Sequence, residues 1–288
     1  MKLFYITRTA IPSRAAQSTQ ISAMVKSFNE ILKDDFVFVS PCSDKTMSHD
    51  YKWDKLIYCK NSHVRYLHAC IKAVCYLINH PQAVFFTRDV VVAYIVTILG
   101  GRAVYEAHKQ PIGRISSWTI KKLFLNKNFK LVTISQALKD YYVKTYNLDE
   151  GLVLVAHDGV YIEDYTHLMK KHRQKLKEKY NIPLDKVIVV HTGSIYVGRG
   201  SELFGRIATI SSDEILFIQV GGEISDINRV KDYYKNQHIN NIRFIPRQTA
   251  DVVREYQVLA DLLFYMITPE TPTYWCCSPL KIFEYMAS

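Results

Sequence analysis

Short apolar runs alternate with stretches of helical periodicity along almost the whole 288-residue chain, and this rhythm constrains the fold most. Runs this short, apolar at consecutive positions, suit strands buried on both faces. Parallel strands need long crossovers, and a helix is the usual one. Strands are expected at Lys2–Thr7, Phe36–Ser40, Leu56–Cys59, Ala83–Thr87, Ala103–Tyr105, Leu131–Ile134 and Val153–Val155. Helices are expected at Ser18–Leu32, Val64–Ile78, Val90–Leu99, Arg114–Leu125 and Gln136–Tyr146. The lysine-rich segment Tyr165–Tyr180 reads as one charged helix, closed by Asn181-Ile182-Pro183. A second series follows, with strands at Val187–Val190, Ile215–Val220, Ile242–Ile245 and Leu262–Met266 and helices at Ile227–Lys235 and Ala250–Leu259. The pattern predicts an α/β chain of two parallel-sheet domains, 1–183 and 184–288, facing each other across a ligand cleft at the carboxyl ends of their strands. The second series breaks off in a helix, so that domain reads as truncated at its C-terminus.

A formal charge of +10 favours an anionic partner, such as a phosphate ester or an anionic membrane surface. The aromatic residues are spread through the expected strands and helices and make no stacking platform, which argues against nucleic acid. Six cysteines without a Cys-x-x-Cys give neither a zinc spacing nor a disulfide framework and point to a reducing, cytoplasmic setting. The opening MKLFYITRTA reads as a strand, not a leader, and the longest apolar run, Val90–Leu99, is too short to span a bilayer. Peripheral attachment to the inner membrane face stays open. The histidines have no metal spacing, and no Asp-x-Asp offers to hold a metal-bound diphosphate, so no metal or cofactor is expected.

Several loops carry residues suited to an anion. In SPLKIFEYMAS, Ser278 stands at an N-cap position and Pro279 at the first helical one. Free N–H groups and Lys281 at that helix tip suit a phosphate, and Glu284 lies on the same face. The alternative is an amphipathic helix with Leu280, Ile282, Phe283 and Met286 in the core and Lys281 and Glu284 a solvated pair. Gly193-Ser194 and Gly198-Arg199-Gly200 follow the strand at Val187, where glycines let a ligand approach the backbone and Arg199 can fork onto phosphate oxygens. A glycine turn with a surface arginine fits the same residues. Gly221-Gly222-Glu223 and Pro246-Arg247 close the next two strands. In the first half, Thr87-Arg88-Asp89 and Glu106-Ala107-His108 each end a strand; His108 can donate to a sugar hydroxyl or a departing phosphate, or be an ordinary loop histidine.

The ordered set YITRTAIP, TRD, YEAH, LVTISQALKDYY, VAHDGV, HTGSIYVGRG, QVGGE, VLADLLFYM and SPLKIFEYMAS resembles the retaining GT-B glycosyltransferases of family 4, over essentially the whole chain. The resemblance implies two Rossmann-like domains with a nucleotide diphosphate-sugar donor held mostly by the second. Gly193, Ser194, Gly222, Ser278 and Leu280 would line the donor site, with Arg199 and Lys281 on the diphosphate. Glu284 would take the ribose hydroxyls, and the segment ending at Arg247 would meet the base. His108 would lie near the donor sugar, and Arg14, Ala15, Ala16 and Gln17 would approach a phosphate or the acceptor. The chain departs from the family at Cys276, where a glutamate is usual, at Ser194, where an arginine is, and at Ala15 and Ala16, which replace glycines. The implied activity is metal-independent, retaining hexosyl transfer to a carbohydrate or lipid-linked acceptor in surface polysaccharide or glycolipid synthesis, with His108, Arg199 and Lys281 as catalytic residues. The alternatives are a nucleotide-sugar-binding protein without turnover and a sugar-nucleotide epimerase of the same fold.

Overall fold

The computed structural model describes residues 1–13, 16–44, 49–169, 173–236, 238–239 and 241–288. They form two compact units, Met1–Asp158 with Cys276–Ser278, and Gly159–Trp275 with Pro279–Ser288.

The first unit is a parallel sheet of β1 (Leu3–Ile6), β2 (Phe36–Pro41), β3 (Trp53–Leu56), β4 (Val84–Thr87), β5 (Arg102–Ala107), β6 (Phe129–Thr133) and β7 (Val153–Val155), in the order β3-β2-β1-β4-β5-β6-β7. Its helices are α1 (Ala16–Leu32), α2 (Ser62–Asn79), α3 (Val90–Ile98), α4 (Gly113–Leu123) and α5 (Gln136–Tyr146). One core cluster packs Tyr5, Phe36, Phe38 and Phe86 against Ile21 and Val25 of α1. Local signals set several helix ends. The Asn61 side chain accepts from the His63 N–H at the start of α2, and the Ser135 hydroxyl accepts from the Leu138 N–H at the start of α5. Asn147, at φ 52°, ends α5 in the left-handed conformation asparagine tolerates. The strand expected at Leu56–Cys59 lies at Trp53–Leu56 instead, and Ile57 and Tyr58 are exposed.

The second unit contains α6 (Glu163–Met169), α7 (Arg173–Lys179), β8 (Val187–Thr192), α8 (Ser201–Thr209), β9 (Ile215–Val220), α9 (Ile224–Asn236), β10 (Ile242–Ile245), α10 (Ala250–Leu259), β11 (Leu262–Leu263) and α11 (Leu280–Ala287). Its parallel sheet runs β10-β9-β8-β11. The division falls earlier than the expected Leu184, because Tyr165, Leu168, Leu176 and Ile182 pack into one core with Ile188, Val190 and Leu259. Of the charged segment, Glu163–Met169 (α6) and Arg173–Lys179 (α7) are helical, and 170–172 lie outside the described residues. β11 is shorter than the expected Leu262–Met266, although the Phe264 N–H still donates to the Val190 carbonyl at 2.8 Å. No described helix is long and apolar enough to cross a membrane.

Candidate functional site

In the second unit the loops after β8 and β9 meet. Gly221, at φ 114°, has no room for a side chain, since a Cβ there would lie 2.5 Å from the Gly193 carbonyl oxygen. Gly222, at φ 91°, packs as closely on Ile195. The Gly193 N–H donates to the Val220 carbonyl at 2.8 Å, which pins the start of the first loop, and Ser194 beside it is exposed. Arg199 follows, its guanidinium 5.6 Å from the centre of the Tyr196 ring and without a carboxylate partner among the described residues. Arg247, beyond β10, pairs with Glu223, beyond β9, at 3.0 Å and is half exposed.

A polar network ties α11 to the end of β8. The Thr192 N–H donates to the Tyr285 hydroxyl at 2.9 Å. Gln257 of α10, 1% exposed, donates its amide to Thr192 Oγ1 at 3.1 Å and to Glu284 Oε2 at 2.9 Å, and its carbonyl accepts from Tyr165 at 3.2 Å. Lys281 Nζ lies 2.6 Å from the same Glu284 oxygen. Ile282 and Met286 of this helix are exposed, Phe283 is half-buried, and Lys281 and Glu284 are 27% and 16% exposed. Leu280 opens the helix, half-buried. Ser278 is not its cap. Pro279 takes the cap position with no side-chain bond, while the Ser278 hydroxyl accepts from the Asp158 N–H at 3.0 Å within the first unit. Cys276, also in the first unit, is 1% exposed, and burial pushes its thiol up to about 11, so it stays protonated at neutral pH.

His191 reports on the charge at the end of β8. Its Nδ1 is 2.7 Å from the Phe264 carbonyl. Burial lowers its pKa to about 4, the Phe264 bond opposes the shift, and the positive charges of Lys281 and Arg199 add to it. Both cations therefore act on one neutral imidazole. Between pH 6.5 and about 4 the unfolded histidine is protonated and the folded one is not, so its contribution is full above pH 6.5 and is lost as pH falls through that window. The gap is worth about 3 kcal/mol. Urea unfolding of the second unit is expected to weaken by roughly that amount from pH 7 to pH 4, and His191→Asn, which keeps a donor for the Phe264 carbonyl, is expected to flatten the curve.

The first unit holds a second charged group, at the carboxyl ends of β4 and β5. Arg88 Nε is bonded to Glu106 Oε2, both side chains 3% exposed, and His108 Nε2 lies 2.9 Å from the same oxygen. Gln20 bridges Arg88, at 3.4 Å, to Asp158, at 2.8 Å. Burial raises the Glu106 pKa, but the His108 hydrogen bond and the Arg88 charge outweigh it and hold the carboxyl below its usual range. Asp158 is shifted the other way, upward, by its burial against the pull of His108 and Arg88. Gln17 is exposed in the first turn of α1 and lines an open cavity with Arg8 and Arg65. Arg14 and Ala15 lie outside the described residues, as does the side chain of Ala16, where α1 begins.

Sequence reasoning brought Lys281, Glu284, Arg199, Gly193, Gly222 and Arg247 to the same sheet end of the second unit, and it singled out His108. It missed Gln257 and Tyr285, which orient that group, and Gln20 and Asp158 around Arg88. One signal for Gln257 was present: an amide between Tyr256 and the apolar run Val258–Leu259–Ala260 must find buried partners. Among the described residues no cluster of His, Cys, Asp or Glu is placed to hold a metal ion.

No family model matches the sequence, and no curated protein matches it. Solved structures do. HepE of Anabaena, in complex with UDP and glucose, superposes with a TM-score of 0.63 at 16% identity, over 92% of this chain and 74% of that one. A glycosyltransferase from Rickettsia africae gives 0.67 at 15% identity, over 92% and 73%. WaaG, a glycosyltransferase involved in lipopolysaccharide biosynthesis, gives 0.66 at 13%, over 91% and 74%. Two parallel α/β units, with this strand order and this likeness, give the chain the GT-B fold of the glycosyltransferases.

Proposed function

We propose that the protein is a retaining glycosyltransferase that moves a hexosyl group from a nucleotide diphosphate-sugar to an acceptor hydroxyl. The observation that carries the reading is the group at the end of β8: Gln257 donates to both Thr192 and Glu284, Lys281 Nζ lies 2.6 Å from the same Glu284 oxygen, and Arg199 follows in the loop after that strand. Two cations next to an oriented carboxylate match a diphosphate joined to a ribose. Arg199 and Lys281 stabilise the charge that grows on the departing diphosphate, so the neutralisation comes from side chains and the transfer is metal-independent. Glu284 accepts from the ribose hydroxyls, and the loops at Gly193 and Gly222 let the backbone close on the phosphates. Arg247 lies beside the base. In the first unit, His108, oriented by Glu106, donates a hydrogen bond to the donor sugar. The complex of HepE with UDP and glucose supports a UDP-sugar as donor, and the role of WaaG in lipopolysaccharide biosynthesis supports a surface glycan or glycolipid acceptor. The basic net charge suits work at the inner face of an anionic membrane. The domain halves of the reaction follow the two units, donor with the second and acceptor with the first.

The test is a thermal-shift series with UDP, UDP-glucose and other nucleotide-sugars. A donor at a hundredfold excess over its Kd stabilises by about 2.7 kcal/mol, and Arg199→Ala and Glu284→Ala should each abolish the shift. Absence of a shift with every nucleotide-sugar overturns the reading. Cys276, an inert buried thiol where the resembling family has a carboxylate, favours one rival, binding without turnover. Labelled donor separates the outcomes: UDP release marks transfer or hydrolysis, an altered sugar still on UDP marks epimerisation, and unchanged donor marks binding alone.

A further inference from the structure

In the second unit, the chain beyond β11 turns back onto the loop that carries Arg199. Thr268-Pro269-Glu270-Thr271 is a β-turn: proline stands at its second position, where a fixed φ is favoured, and the Thr271 N–H donates to the Thr268 carbonyl at 2.9 Å. The turn brings two hydroxyls to one acceptor. Thr268 Oγ1 and Thr271 Oγ1 both donate to the Gly198 carbonyl, the second at 3.2 Å. A carbonyl oxygen has two lone pairs and takes both. Thr268 also bonds the exposed Glu270 carboxylate, whose pKa that bond lowers, so its single proton is shared. Thr271, 6% exposed, is the steadier donor to Gly198. The glycines on either side of Arg199 fit against the same turn. Gly198, at φ 84°, and Gly200, at φ 86°, are left-handed, and a Cβ on them would lie 3.1 Å from Glu270 Cβ and 3.2 Å from Thr268 Cγ2. From the other side, Arg229 of α9 donates to the Ile195 carbonyl at 2.6 Å and pairs with Glu202 at 3.0 Å. The backbone is therefore held before and after Arg199, while its guanidinium has no carboxylate partner among the described residues to aim it.

We propose that Thr271, with Thr268, is a positioning residue for the transfer reaction: the two hydroxyls fix the Gly198 carbonyl and so set the direction in which Arg199 leaves the loop. This rests on the reading of Arg199 as a ligand of the donor diphosphate. The Gly198 carbonyl belongs to the planar peptide unit that ends at the Arg199 nitrogen, so holding one end holds the other. A tilt of that unit is magnified along the length of an arginine side chain. A donor fixed before charge develops needs no reorganisation when the diphosphate departs, whereas one misplaced by about 1 Å can cost about a hundredfold in rate. The hydroxyls therefore act on the reaction through Arg199 without touching the substrate, and their effect belongs to the diphosphate and not to the nucleoside.

The experiment compares the wild type with Thr271→Val, which replaces the hydroxyl by a methyl of the same shape, with Thr271→Ser, which keeps the hydroxyl, and with the double variant Thr268→Val/Thr271→Val. Binding of UDP is read by calorimetry, binding of uridine by ligand-observed NMR, kcat and KM with UDP-glucose, and amide hydrogen exchange over residues 196–201. Thr271→Val is expected to lower kcat about tenfold, the worth of one hydrogen bond, with a smaller change in KM. The double variant should lower kcat about a hundredfold. UDP should bind several-fold more weakly to Thr271→Val while uridine binds as before, exchange in the Arg199 loop should quicken, and Thr271→Ser should restore the wild-type values. Melting temperatures establish that each variant is folded; if Thr271→Val is not, Thr268→Val takes its place with a smaller loss of the same pattern. A folded variant with wild-type kcat and UDP affinity would overturn the proposal. An equal loss for UDP and uridine would overturn it too, because it would place the effect in the fold of the unit, as would a serine variant that stays impaired. Failure of UDP to bind the wild type would count against the glycosyltransferase reading, while the exchange comparison would still decide whether the two hydroxyls hold the Arg199 loop.

Discussion

Glu106→Ala is expected to destabilise the first unit by about 3–5 kcal/mol, the cost of breaking a buried ion pair by removing one partner. The magnitude follows from what is left behind. Arg88 stays charged at any accessible pH, it is 3% exposed, and its second terminal nitrogen already lacks a partner among the described residues. Gln20, at 3.4 Å, is a weak substitute for a carboxylate. For a unit of this size the loss corresponds to a fall in melting temperature of roughly 10 °C. Replacing both members, Arg88→Met with Glu106→Leu, should restore most of the stability, because no uncompensated charge remains. The pH dependence gives a second check. The Glu106 carboxyl is held below its ordinary 4.5, so the pair is intact above that value and is lost as pH falls through the lowered one. Wild type and Glu106→Ala should therefore converge in acid. A variant within 1 kcal/mol of the wild type at pH 7 would mean that the pair is not a desolvated one.

The fold was legible wherever a local signal coincided with burial. The bounds of α5 follow from Ser135 before it and Asn147 after it, two residues that stop a helix by their own chemistry. β9, Ile215–Val220, and β10, Ile242–Ile245, were readable as short runs that are apolar except at Gln219 and Arg243. β3 was not, and the reason is its place. It is an edge strand paired only with β2, so it tolerates Asp54 and Lys55, while the more apolar Ile57 and Tyr58 just beyond it stay exposed. Ser278 misled for a related reason. A serine before a proline reads as a helix cap, yet the hydroxyl serves the Asp158 N–H, a partner 120 residues away that no local pattern announces.

The candidate site divides along the same line. Lys281 and Glu284 are three residues apart on one helix, so their pairing follows from helical geometry alone. Arg88 and Glu106 are 18 residues apart, and their meeting depends on β4 and β5 being neighbours in register, with Thr87 opposite Tyr105. The triplets Thr87-Arg88-Asp89 and Glu106-Ala107-His108 could be recognised separately as strand ends. Only the strand order turns them into one charged group in which Glu106 orients His108.

Lys281→Met is expected to leave stability nearly unchanged and to lower kcat/KM for the nucleotide-sugar by about 10²–10³-fold. The two halves of that expectation have different origins. The Lys281–Glu284 pair joins side chains that are 27% and 16% exposed, one turn apart on a helix without buried residues. Such a pair contributes about 0–1 kcal/mol to folding, and Glu284 keeps Gln257 as a donor at 2.9 Å when the ammonium is gone. Methionine preserves the unbranched stem that packs along the helix, so little packing is lost. Donor turnover is affected differently, because the ammonium is assigned to the leaving diphosphate, where charge develops only as the glycosidic bond breaks. Lys281→Arg, which retains the charge in a broader head, should keep much of the rate. The plain structural reading of the same pair predicts the reverse pattern: a loss of a few tenths of a kcal/mol in stability and no change in UDP release from the donor. Measuring unfolding and UDP release on the same variant separates the two readings, because the functional one puts the loss in the rate and the structural one puts it in the fold.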